Sequence, residues 1–324
     1  MKLSHSFALF AVGLIPVFQP GMIAQAHEYP VRTITLVVPW PAGGAQDALG
    51  RMLAQKLADR LGRVIIENRP GAGSVIGVAA GARAAPDGYT LVQLGAAFAI
   101  NATVHKKLPY DPVEDFAPVA LVAQVPFVLV VNPSLPVRSV AELIALAKTR
   151  PLSYASGGPG SPHHLCAELF KSITGIEMTH IPYKGSAPAV TDVVAGHVPI
   201  HFSDPVASLP LVREGKLRAL GVTTGMRMPS APDIPTIGET GVPEFEAASW
   251  IMIAAPINTP REIVAKLHEE LRSIAQSADI SQQIVSLGMI PVSSPPPEAL
   301  RHFVSSEIAR WARAVHQAGI AASE

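Results

Sequence analysis

The chain has one cysteine, Cys166, in 324 residues. An intramolecular disulfide framework is therefore excluded, and stability must come from a buried apolar core. Cys166 falls in a helical apolar pattern with Leu165, Leu169 and Phe170, which reads as a small buried residue rather than a nucleophile. Charge of either sign is scarce: 25 basic and 25 acidic side chains give a formal net charge of zero. Without a basic patch, nucleic acid is not an expected partner, and an anionic ligand would be held by local dipoles rather than a global positive field. Long apolar runs are missing too. The N-terminal run Phe7 to Val17 falls short of the ~20 residues that span a bilayer. There is no internal repeat and no low-complexity tract. There is also no Gly-x-Ser-x-Gly elbow. His163, His164, His180, His197 and His201 match no zinc spacing. No cofactor and no metal are expected.

What is present begins with an export sequence. Lys2 and His5 precede the apolar run, and Ala24-Gln25-Ala26 fits a small-residue cleavage site. A signal peptide over residues 1–26 is expected, leaving an exported, periplasmic chain from His27 without a lipid anchor.

The most informative stretch is Val37-Val38-Pro39-Trp40-Pro41-Ala42-Gly43-Gly44-Ala45-Gln46-Asp47. Ile34 to Val38 reads as a buried strand, and Leu49, Met52, Leu53, Leu57 and Leu61 follow at helical spacing. A glycine turn that opens a helix can bind an anion, because unpaired backbone N–H groups and a partial positive charge converge there. It can equally be a tight turn with no ligand. Tyr154 to Ser161 and Ile181 to Ser186 repeat the arrangement, with Ser161 as an N-cap and Pro162 at the first helical position.

Short apolar strands alternate with amphipathic helices along the chain, which predicts an α/β fold with parallel-type sheets. Strands are expected at 34–38, 64–67, 90–94, 127–132, 152–156, 178–182, 200–203, 217–223 and 250–255. Helices are expected at 46–61, 74–83, 140–150, 161–174, 187–195, 260–276, 278–287 and 297–316. Val122–Pro133 and Phe245–Pro256 read as two crossings between lobes. The division is then 27–124 for the first lobe, 125–248 for the second and 249–324 for the return to the first, with a ligand cleft between two hinge strands.

Several ordered motifs resemble the Bug-type extracytoplasmic receptors of tripartite tricarboxylate transporters. They are Tyr29-Pro30-Val31-Arg32, the Pro39–Asp47 loop, Glu67-Asn68-Arg69-Pro70-Gly71-Ala72-Gly73, Pro86-Asp87-Gly88-Tyr89-Thr90-Leu91, Leu108-Pro109-Tyr110-Asp111-Pro112 with Asp115-Phe116, Tyr154-Ala155-Ser156, His180 to Gly185, and Gly215 to Leu220. The resemblance covers the mature chain. It implies a two-lobed, type II-like periplasmic binding protein that captures a small carboxylate as a monomer and presents it to a two-component membrane permease, without chemistry on the ligand. It also implies that Gly43, Gly44 and Asp47 hold a carboxylate, with Ser156, Gly158, Ser161, Tyr183 and Asp204 on the facing lobe. His164 is either structural or a donor to the ligand, and Trp40 either walls the cleft or packs in the core. Pro159, Pro162 and His163 depart from the commoner residues of the family. So does the apolar Ala96-Ala97-Phe98, which turns the expected ligand, near Phe98, toward an aromatic or otherwise apolar carboxylate rather than citrate.

Two other classes stay open. Ser161 and His164 lie within one helical turn, or an acid such as Asp47 could act, giving a secreted hydrolase-like enzyme, although no orienting acid is identifiable. A receptor for a sensor kinase would share the cleft. Gly71-Ala72-Gly73-Ser74-Val75-Ile76-Gly77 imitates a dinucleotide loop, but its glycine spacing and the missing downstream acid favour close helix–sheet packing.

Overall fold

The first lobe grows from β1 (Ile34–Val38), where alternate faces are both covered and the strand reads as a continuous apolar run. The computed structural model describes residues 29–243, 245–317 and 319–322, so the expected signal peptide lies outside the described residues. After β1 come α1 (Ala45–Leu61), β2 (Val64–Asn68), α2 (Val75–Ala82), β3 (Thr90–Leu94), α3 (Ala96–Val104) and β4 (Phe116–Pro126). Leu49, Leu53, Leu57 and Leu61 of α1 are buried against this sheet, as their i, i+4 spacing requires.

The chain then builds β5 (Val128–Val131), α4 (Val140–Ala147), β6 (Leu152–Ser156), α5 (Pro162–Thr174), β7 (Met178–Pro182), α6 (Ser186–Ala195), β8 (Ile200–Ser203), α7 (Pro205–Arg213) and β9 (Arg218–Val222). It returns through β10 (Ala248–Pro256), α8 (Arg261–Gln276), α9 (Ala278–Ser286), β11 (Ile290–Pro291) and α10 (Pro297–Gln317). Among the described residues, no helix is long and apolar enough to cross a membrane.

Two sheets result, ordered β11-β4-β10-β3-β1-β2 and β7-β6-β8-β5-β9. Both are mixed, which corrects the expectation of parallel-type sheets. β1 runs parallel to β2 and β3, and β6 runs parallel to β7 and β8. β10 pairs antiparallel with β3 and β4, and β5 pairs antiparallel with β8 and β9. The antiparallel strands include those that carry the chain between the lobes. A strand that enters a sheet without a crossover helix is free to run against its neighbours.

Phe127 is the one residue between β4 of the first sheet and β5 of the second. Its N–H donates to Thr223 Oγ1 at 2.8 Å, its carbonyl accepts from Thr223 N–H at 2.9 Å, and the Thr223 carbonyl accepts from Ala247 N–H at 2.8 Å. The outgoing and returning segments are thus bonded to each other at the crossing. On β10, buried Trp250 donates its indole N–H to Glu307 of α10 at 2.8 Å, and Trp311 donates to the same carboxylate at 3.1 Å. Glu307 and Trp311 are on the buried side of α10.

Candidate functional site

Between the lobes lies a cavity of about 70 Å³. The N-termini of five helices contribute to its wall: Gly44 before α1, Ala97 in α3, Pro162 and His163 in α5, Ser186 to Pro188 in α6, and Asp204 before α7. Four of these helices, α1, α3, α6 and α7, receive no hydrogen bond from the side chain at their cap, because the caps are Gly44, Gly95, Gly185 and an Asp204 that turns elsewhere. Aligned peptide dipoles therefore point positive ends at the cavity, opposed on the second lobe by the ionised Asp204. The turns of the two lobes come within reach of each other: a β-carbon at Gly185 would stand 3.6 Å from Pro41, and one at Gly73 would stand 3.6 Å from the Pro159 carbonyl.

The middle of the wall is apolar, with Trp40, Ala97, Val125, Phe127 and Pro162. Gln46 and Ser249 supply polar groups from the first lobe, and His163, Lys184, Ser186 and Asp204 supply them from the second. His163 is only 7% exposed, and neither ring nitrogen completes a hydrogen bond with the protein. Its Nε2 stands 3.2 Å from Asp204 Oδ1, and its ring packs edge-on against Phe127. Burial alone would raise the Asp204 carboxyl, but chiefly the facing His163 holds it below the usual carboxylate range. Behind them, His201 is fully buried. Burial and the neighbouring His163 push it down to about 3, so it is neutral at pH 7. Its Nδ1 lies 2.8 Å from the Ala155 carbonyl, which can only accept, so Nδ1 carries the proton and Nε2 accepts from the Ser186 hydroxyl at 3.3 Å.

Comparison with known proteins fits this geometry. The family model described as tripartite tricarboxylate transporter family receptor matches residues 49–320. The chain belongs to that family. It is 40% identical over 318 residues to protein BugT of Bordetella pertussis, covering 96% of this chain and 97% of that one. Among solved structures, R. palustris Rpa4515 with adipate superposes with a TM-score of 0.87 at 40% identity, covering 91% of this chain and 99% of that one. The periplasmic binding protein BugD gives 0.85 at 33% identity, covering 90% and 99%. The two-lobed periplasmic binding protein fold read from sequence is the fold of these neighbours.

In this family receptor the residues named from sequence fall into two groups. Trp40, Gly44 and Asp204 line the cavity. Gly43 sits beside it with a φ of +94° that favours glycine, and its N–H donates to Asp47 Oδ2 at 3.0 Å. Asp47 is turned inward: it also accepts from Arg51 at 2.9 Å and from Asn68 at 3.0 Å. Burial raises its pKa, and these three hydrogen bonds more than reverse that. Phe98 is fully buried away from the cavity, packed with Tyr110 and Phe116. Tyr183 donates its hydroxyl to Asp192 at 2.6 Å. Ser156 Oγ accepts from Gly158 N–H at 3.0 Å and lies 2.6 Å from His180 Nε2. Gly158 itself holds a φ of +115° in that turn.

Ser161 caps α5 by accepting the His164 backbone N–H at 3.3 Å. The His164 imidazole takes the Gly160 N–H at 3.2 Å and stacks on His180 at 3.9 Å. Nothing in this geometry joins the Ser161 hydroxyl to the His164 ring as nucleophile and base. Among the described residues, no group of three His, Cys, Asp or Glu side chains is placed to hold a metal ion. Gly77, in the loop that imitates a dinucleotide site, lets α2 close onto the strand ends, since a β-carbon there would meet Arg69 O at 2.6 Å and Pro39 Cβ at 2.7 Å. Sequence reasoning did not single out Gln46, Ser186 or Ser249 as site residues, and noted His163 as a family departure and in a histidine set without zinc spacing. The signal was the turn rather than the residue: each of Gln46, His163 and Ser186 sits in the first turn of a helix that opens at the cleft.

Proposed function

We propose that the protein binds a small carboxylate in the periplasm and delivers it unaltered, as a monomer, to a two-component membrane permease. The observation that carries this reading is the convergence of five helix N-termini on one interlobe cavity of a net-neutral chain. A carboxylate there meets unpaired N–H groups and positive dipole ends. The apolar middle of the wall favours a ligand with a hydrocarbon or aromatic body, and adipate in Rpa4515 is a ligand of that kind. Membership of a tripartite transporter receptor family supports the permease and the periplasmic setting, and the expected signal peptide supports export.

Ligand capture needs the closed form to bind better than the open one, so closure is a population shift. A thermal-shift screen of residues 27–324 against mono-, di- and tricarboxylates, acidic amino acids and aromatic acids tests the reading. A ligand that binds only the native state raises the melting temperature by mass action. A hit recovered chemically unchanged supports a receptor. A hit that is consumed, or silence across the whole panel, rejects it.

A further inference from the structure

We propose that Asp204 makes the site select carboxylates whose far end carries a hydrogen-bond donor, an ammonium or hydroxyl group, over those ending in a second carboxylate. The proposal rests on the receptor reading above and deepens it. Among the described residues that line the cavity Asp204 is the only carboxylate, and Asp47 is occupied inside the first lobe. An ionised carboxylate only accepts, through roughly four lone-pair positions. The protein places the imidazole of His163 3.2 Å from Asp204 Oδ1, and the Ser186 hydroxyl is engaged by His201. Its side chain keeps 13% of its surface open, and it does not cap its own helix α7. His163, equally buried, is left without a completed hydrogen bond at either nitrogen. A buried polar pair with unused capacity on a cavity wall is completed by a ligand group of complementary type.

That group differs from the one the first lobe takes. The Gly44 turn presents backbone donors and no carboxylate to the cavity, so it suits the acid end of the ligand. A second carboxylate placed at Asp204 would meet like charge, and the solvent-exposed Lys184 on the same wall is screened by water, whereas an ammonium or hydroxyl hydrogen would find a lone pair. The wall therefore reads as asymmetric: acid toward α1, donor toward α7.

Isothermal titration calorimetry of the mature chain against matched series tests this. At each chain length from three to six carbons, the probes are the ω-amino acid, the ω-hydroxy acid, the α,ω-dicarboxylate and the plain monocarboxylate. At the best length, the amino or hydroxy acid should bind at least tenfold more tightly than the dicarboxylate. Asp204→Asn, of equal volume, should shrink that preference to threefold or less. A dicarboxylate that binds wild type as well or better overturns the proposal, as does a preference that survives in Asp204→Asn. Binding of plain monocarboxylates alone also overturns it while leaving the receptor reading intact. If no carboxylate of any class binds, the receptor reading falls first. The wild-type series decides the matter even if the variant does not fold.

Discussion

Asp47 and Asp204 stand near the openings of helices on opposite walls of one cleft, yet they do different work. Asp47 reaches back to the Gly43 N–H and also holds Arg51 and Asn68. Its hydrogen bonds are spent on shaping the glycine turn, which then offers backbone rather than side chain to the cavity. Asp204 faces His163 across 3.2 Å and leaves its own helix without a side-chain cap. A carboxylate satisfied inside its own turn builds a site, while one with unused lone pairs on a cavity wall is available to read a ligand. The two residue types are identical, and only the neighbours separate them.

The contrast between the lobes should be sharpest in acid. His164 and His201, both in the second lobe, are pushed by burial and by neighbouring histidines to about 3. Between that value and the ordinary 6.5, the unfolded chain binds protons that the native state refuses, so stability rises with pH through this window. Taking the apo protein from pH 7 to pH 5 should remove about 2 kcal/mol per histidine, roughly 4 for the pair. The lowered carboxyls of Asp47 and Asp204 work in a lower window. Their contribution is complete above about 4, the ordinary carboxylate value, and is lost as pH falls through their lower folded values. Urea denaturation at pH 7 and pH 5 measures the first effect, and His201→Asn should flatten the pH dependence by about half.

Next in size is the carboxylate comparison itself. Asp47→Ala should cost about 2 kcal/mol of apo stability, because it removes the acceptor of the Gly43 N–H and of the Asn68 amide, while the exposed Arg51 turns to water. Asp204→Asn should stay within about 1 kcal/mol of wild type, since one hydrogen-bonding group replaces another of the same shape. Equal losses in the two variants would erase the distinction. The smallest effect on stability belongs to Gly44→Val. Gly44 has open space where a β-carbon would stand and a φ of −87°, so the fold should tolerate the change within about 0.5 kcal/mol. Its branched side chain would nevertheless obstruct the first-lobe wall, and ligand affinity by calorimetry should fall at least tenfold.

Much of the fold was legible because most elements carry a clear period. β1, β3, β6, β7 and β8 fall where short apolar runs placed them. α3 was missed because Ala-Ala-Phe-Ala-Ile-Asn-Ala-Thr-Val is buried nearly all round and has no polar face to reveal a 3.6-residue period. α7 was missed, and it carries Pro205 where a helix tolerates proline and Pro210 inside the helix, which sequence pattern disfavours. β4 runs eleven residues, of which only the end from Val122 fell in an expected crossing, and its antiparallel pairing with β10 depends on contacts about 130 residues apart along the chain. The site divides the same way. The glycine turns could be read from the residues alone, whereas the difference between Asp47 and Asp204 lies in which side chains the fold brings beside each.

The three tryptophans extend the division between frame and cleft to light. Trp250 and Trp311 share Glu307 deep beside α10, whereas Trp40 looks into the cavity. Two emitters are thus anchored to one fixed acceptor, and the third sits where an arriving ligand would replace water. The unlabelled protein carries both a reference and a reporter, so its own emission spectrum can follow the cleft as it fills.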